Sequence, residues 1–145
     1  MKKILFAALI ISSISKLYSL DSSIEDIFAN SRPAELAGIA SSLSEAGSIR
    51  QSQGDYLSAM DFYNKSLKLR EELGLELTPG YALVLIFYSI AKHKTGDSCG
   101  ALVAIKKAIA IYEYLGQKED VDATKKEGLL VYGKSCLLLS QKEKE

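Results

Sequence analysis

Tryptophan is absent from this 145-residue chain, histidine occurs once, and cysteine and proline occur twice each. One imidazole and two thiols are too few for a zinc or transition-metal site, and no metal-ligand spacing is present. There is no glycine-rich phosphate loop and no Ser/His/Asp or Cys/His pairing, so nucleotide chemistry and nucleophilic catalysis have nothing to rest on. Net charge is missing too, since 18 basic groups cancel 18 acidic ones. A nucleic-acid binder needs a basic face to displace counterions from phosphates, so that class is disfavoured. What the chain does have is 48% hydrophobic and 25% charged residues, enough for one domain with a real core. Abundant Leu, Ala, Ile, Lys and Glu point to helix.

Residues 1–19 differ in kind from the rest. Met1-Lys2-Lys3 is a short cationic start, Ile4 to Ile11 is an unbroken apolar run, and small residues follow at Ser12, Ser13 and Ser15. That order describes a secretory signal peptide, with cleavage expected after Ser15 or Ser19. A spanning helix needs about 20 apolar residues, and Lys16 interrupts well before that. No cysteine lies here to carry a lipoprotein anchor. Removing Lys2, Lys3 and Lys16 leaves 15 basic against 18 acidic groups, so the mature chain is mildly acidic at −3.

The mature part is duplicated. Slid along itself until Gly54 meets Gly96, the sequence matches at seven of the 21 positions from 54 to 74. Asp55 then falls on Asp97, and Gly74 on Gly116. Each unit reads as two helices about a tight turn. The first helix of unit one is expected from Pro33 to Ser52 with Ser31 as its cap. Gly54 ends it and Asp55 caps the next, whose Tyr56, Ala59, Met60, Tyr63 and Leu67 form one face. Unit two opens at Thr78-Pro79, runs to Lys94, turns at Gly96-Asp97 and continues to Leu115. A fifth helix is expected to start near Asp120 or Asp122 and end near Ser140. Thus the chain divides into a signal (1–19), an N-terminal segment (20–32), a helical domain (33–140) and a polar tail (141–145). Within the domain, repeat 1 is 33–74, repeat 2 is 75–116, and 117–140 is the C-terminal helix.

The arrangement Leu43, Ala46-Gly47, Gly54-Asp55-Tyr56, Ala59, Tyr63, Ser66-Leu67 resembles a tetratricopeptide repeat. Leu85, Tyr88-Ser89, Gly96-Asp97, Ala101, Ile105, Ala108-Ile109 repeats the pattern. The longer period, with "KSLKLREELG" and "KAIAIYEYLG", resembles the subgroup with extended second helices. Arg50 and Lys92 stand where an aromatic is usual, and Glu71 and Glu113 replace the common terminal proline. The resemblance implies an all-α hairpin stack, a fragment of an α-solenoid with about five helices, two full repeats and a C-terminal helix. It also implies a non-enzymatic module that binds a protein or peptide in a concave groove, with no cofactor.

By matching positions, that groove would be lined by Ser41, Ser44, Ser48, Gln51 and Ser52 in unit one. Leu83, Ile86, Ile90, His93 and Lys94 would line it in unit two. The segment YALVLIFYSIAKH (81–93) is apolar almost all round, which fits a central helix covered by the terminal segments. It also fits an exposed stripe of Leu83, Ile86 and Ile90 for a partner or a second copy. His93 is expected as a helix-end surface residue.

Cys99 and Cys136 also admit two readings. An export signal implies an oxidising compartment, and in hairpin stacks of this kind both fall at one end of a layer, where a disulfide would close a loop of about 37 residues. Otherwise each is a small apolar filler. Taken together, the expectation is an exported adaptor or scaffold of a bacterial periplasm or envelope, with secretion as second choice. The alternative is a homo-oligomeric structural subunit.

Overall fold

Helix α1 occupies residues 32–52, α2 spans Tyr56–Glu72, and the chain reverses between them at Gln53-Gly54-Asp55. Gly54 makes the reversal with a φ of +79°, a left-handed conformation costing a residue with a Cβ about 1–2 kcal/mol. Its amide donates to the Gln51 carbonyl (3.0 Å) and the Asp55 amide to that of Arg50 (3.0 Å), satisfying carbonyls that the helix end leaves over. The Asp55 carboxylate then accepts the Ser58 amide at 3.1 Å, capping α2.

The same bonds recur one repeat later. Gly96 donates to His93 (3.0 Å), Asp97 donates to Lys92 (2.9 Å), and the Asp97 carboxylate accepts the Gly100 amide at 2.7 Å. This turn joins α3 (Pro79–Lys94) to α4 (Ser98–Tyr114). Thr78 starts α3: its hydroxyl accepts the Tyr81 amide at 3.3 Å and donates to the Leu75 carbonyl at 2.7 Å. Pro79 follows at the first helical position, where its missing N–H costs nothing.

The computed structural model describes residues 32–142. The expected signal peptide, the segment 20–31 with Ser31 as a cap, and residues 143–145 of the tail lie outside the described residues. Leu36–Glu145 forms one compact unit.

The fifth helix lies within two residues of its expected ends and departs from expectation in its make-up. It begins at Lys118, just ahead of Asp120, because Gly116-Gln117 forms another abrupt turn. The Lys118 amide donates to Gly116 at 3.1 Å just as Ser98 donates to Gly96 at 3.0 Å. It ends at Lys142. Instead of one continuous α-helix it is a rod of three pieces: α5 (Lys118–Thr124), a π-helical turn (Lys125–Leu129) and α6 (Leu130–Lys142).

The described residues are all helical apart from turns. Helix α3 packs on both α2 and α4, and α4 packs in turn on α5, the π turn and α6. Fully buried Ala59, Ala82, Ala91, Ala101 and Ala108 permit close approach, while Tyr63, Tyr81, Leu85 and Ile105 fill the space between helices. At Gly47 a Cβ would stand 2.6 Å from Cε1 of Tyr63, so glycine sets the α1–α2 separation. The Tyr81 hydroxyl donates to Glu71 and accepts from Lys107 Nζ at 2.6 Å, tying α2, α3 and α4 together. Burial, with the Glu71 carboxylate adding to it, raises the Tyr81 phenol above its ordinary range, while Lys107 acts in the opposite sense. No described helix is long and apolar enough to cross a membrane.

Candidate functional site

The apolar positions of α3 do not all go inward. Tyr81, Ala82, Val84, Leu85, Ser89 and Ala91 are buried, whereas Leu83 keeps 45% of its surface exposed and Ile86 and Ile90 are half-buried. Spacing of three and four places these three residues on one stripe. That stripe is one wall of an open cleft of about 390 Å³. Ile105 and Tyr112 of α4 form its floor. The opposite wall is the C-terminal rod, through Asp120, Ala123, Thr124, Glu127, Gly128 and Tyr132.

The rod is held against α4 at several points. A Cβ on Gly128 would meet Ile105 Cγ1 at 2.6 Å, so the π turn lies directly on the α4 surface. Lys125 Nζ reaches Glu113 Oε1 at 2.7 Å. Cys99 and Cys136 are joined by a disulfide with their Cα atoms 4.8 Å apart. Cys99 is exposed and Cys136 half-buried, so the reading of the pair as core fillers gives way to a bridge between the start of α4 and α6. The π turn is a feature sequence reasoning missed; such single-turn insertions often accompany functional sites.

Of the residues matched to a groove, Leu83, Ile86 and Ile90 meet in this cleft, and Ser44, Ser48, Gln51, His93 and Lys94 do not line it. Ser44 bonds back to its own helix at the Ser41 carbonyl (2.7 Å), and Ser48 is exposed on α1. Gln51 is half-buried, and its Oε1 lacks a partner among the described residues. Lys94 is exposed at the end of α3. His93 is not a free surface residue: its Nδ1 lies 2.9 Å from Ser98 Oγ, and its ring centroid lies 4.9 Å from that of Tyr132. It wedges α3 against both α4 and α6.

The acidic wall residues Asp120 and Glu127 were not foreseen. Their signal was the Gly116-Gln117 turn, which resembles Gly54-Asp55 and sets the phase of the rod. Electrostatically the cleft is one-sided, since both of its charged lining residues are acids. Burial raises the Tyr112 phenol at the floor above its ordinary value, and the Asp120 carboxylate adds to the effect. Among the described residues, no group of three or more His, Cys, Asp or Glu side chains is placed to hold a metal ion.

No protein-family model matches the chain. The search of curated proteins likewise returns no match.

Proposed function

We propose that this chain is a non-enzymatic, exported interaction module of tetratricopeptide-repeat type, an adaptor or scaffold that holds a partner protein in the α3–rod cleft. The observation carrying the reading is an apolar stripe, exposed at Leu83 and half-buried at Ile86 and Ile90, that is faced across an open cleft by a second helical wall. Exposed apolar surface in a concave setting is where helix-in-groove partners dock. The repeat assignment draws support from turn and cap hydrogen bonds that Gly54-Asp55 and Gly96-Asp97 make alike. Export rests on the sequence of residues 1–19.

A photo-crosslinking side chain placed at Leu83 tests the binding surface in the native cell, with Leu57, exposed on α2, as the remote control. Adducts to a discrete partner at Leu83 and not at Leu57 are expected. Equal labelling at both, or none at Leu83, overturns the cleft as the docking surface. The mature N-terminus, read by mass spectrometry, should be Lys16 or Leu20, and an intact Met1 overturns cleavage of the signal.

A second reading has its own observation. Leu130, Val131, Leu137 and Leu138 are exposed on α6 and share one face by their seven-residue spacing. Such a stripe suits a second copy in an envelope assembly. Light scattering should then show a dimer or larger species that Leu137→Glu reduces to monomer; a monomeric wild-type protein removes this reading.

A further inference from the structure

We propose that the occupant of the cleft is an amphipathic helix bearing two basic side chains seven residues apart, with apolar side chains between them on the same face. The proposal rests on the cleft being a docking site and adds the chemistry of what docks.

Three observations lead there. The first is charge: Asp120 and Glu127 are exposed cleft residues, and no lysine or arginine lines the cleft. Among the described residues neither acid enters a salt bridge, although Asp61, Glu71, Asp97 and Glu113 each do. Lys125, on the same rod, is turned away to Glu113. The cleft therefore presents negative charge that no salt bridge among the described residues offsets, beside partly exposed apolar surface, which selects cationic partners and rejects acidic ones.

The second is length. Asp120 and Glu127 are seven residues apart on the rod, the first steps α-helical at 1.5 Å each and the last within the π turn, which puts them about 10 Å apart or slightly less along its axis. On the facing wall Leu83 to Ile90 spans the same seven-residue distance, again about 10 Å. Two turns of helix match both walls at once.

The third is periodicity. In a bound helix, residues i and i+7 lie on one face about 10 Å apart, and i+3 and i+4 lie between them on that face. An extended strand advances about 3.3 Å per residue and alternates sides. Same-side residues of a strand therefore fall about 7 or 13 Å apart, and neither spacing meets both carboxylates. The apolar residues at i+3 and i+4 enter against Ile86 and Ile90, while the two bases reach the acids on the rim.

The test uses the oxidised mature protein and fluorescein-labelled 16-residue alanine-based helical peptides, read by anisotropy. One carries Lys at i and i+7 with Leu at i+3 and i+4. A second has Glu for both Lys, a third has Ala for both Leu, and a fourth moves the second Lys to i+11, on the same face but one turn further along. The first peptide should bind about tenfold tighter than each of the others, the size expected of two rim ion pairs or two lost anchors. The gap between the Lys and Glu peptides should fall to about twofold in the double variant Asp120→Asn, Glu127→Gln, and narrow likewise at 0.5 M salt.

Equal binding of the Lys and Glu peptides, or a gap that survives the double variant, overturns the charge assignment. Equal binding of the i+11 peptide overturns the spacing. In either case Leu83→Gln, at a half-exposed position, removes an apolar wall residue without adding charge and still weakens binding if the cleft is the docking site. If no peptide binds, or binding is indifferent to Leu83→Gln, the docking reading itself falls. A dimer that Leu83→Gln dissociates would place a second copy in the cleft and overturn the proposal.

Discussion

The two walls of the cleft are helices held in place by different means. Helix α3 begins with a threonine cap and a proline, buries six of its 16 residues, and is flanked by α2 on one side and α4 on the other. The C-terminal rod starts at Gln117 with no side-chain cap, is interrupted by a π turn, and packs chiefly on α4. It leaves Leu130, Leu137 and Leu138 in solvent. Burial on two sides is enough to fix α3. The rod has one packed side, and it is kept there by a covalent bond, a glycine contact and the tilted ring contact of Tyr132 with His93. One wall of the cleft is therefore part of the core and the other is fastened to it. The width of the cleft is set by the fastenings.

Removing the covalent one should have the largest effect. With both cysteines replaced by serine, the loop of 37 residues between them is no longer closed, and the chain-entropy relation puts the loss at about 4 kcal/mol. Urea unfolding followed by circular dichroism measures that total. Hydrogen exchange then sharpens the contrast: amides of residues 118–142 should lose protection before those of α3 do. Simultaneous loss along both helices would break the distinction between a core wall and a fastened wall.

The glycine contact comes next, and the rod supplies its own control. At Gly128 an added Cβ would meet Ile105 Cγ1 at 2.6 Å and Cδ1 at 2.9 Å, while at Gly133 nothing lies within 4 Å. Gly128→Val should cost about 1–3 kcal/mol through overpacking. Gly133→Ala should gain up to about 1 kcal/mol, the helix-propensity difference. Differential scanning calorimetry on the two variants reads opposite shifts in Tm. A neutral Gly128→Val would mean that the π turn is not seated on α4.

Much of this frame could be read from residues with a local job. Gly54-Asp55 and Gly96-Asp97 name their own geometry, because a left-handed residue and a carboxylate cap have few other uses side by side. Thr78-Pro79 marked the start of α3 in the same way. The rod was harder. Gln117 stands where the earlier turns have Asp, and its side chain makes no cap, so the turn kept its backbone bonds and lost its sequence mark. The start of α3 at Pro79, carried forward by one period, falls on Val121, past the observed start of the rod at Lys118. The π turn leaves no compositional trace, since one extra residue in a helix looks like ordinary helix. The cleft joins α3 to a segment that follows the whole of α4, where the strict period no longer holds. So its apolar wall was legible from the repeat and its acidic wall was not.

The smallest effects concern the two helix starts, and they carry the comparison to its source. Thr78 satisfies the Tyr81 amide, so Thr78→Ala should cost about 1 kcal/mol. Gln117 occupies the corresponding place ahead of α5, yet no side-chain oxygen reaches the first-turn amides, and its own Oε1 is buried without a partner among the described residues. A serine there is short enough to fold back onto those amides and removes the unpaired amide oxygen. It also adds no charge beside Glu119 and Asp120, as an aspartate would. Gln117→Ser should therefore raise stability by about 0.5–1 kcal/mol, visible as a higher urea midpoint at unchanged slope. Opposite signs at the two positions would trace the weaker hold on the rod to its first residue. A loss on Gln117→Ser would instead show that the Gln117 side chain contributes packing against α4 that outweighs the missing cap.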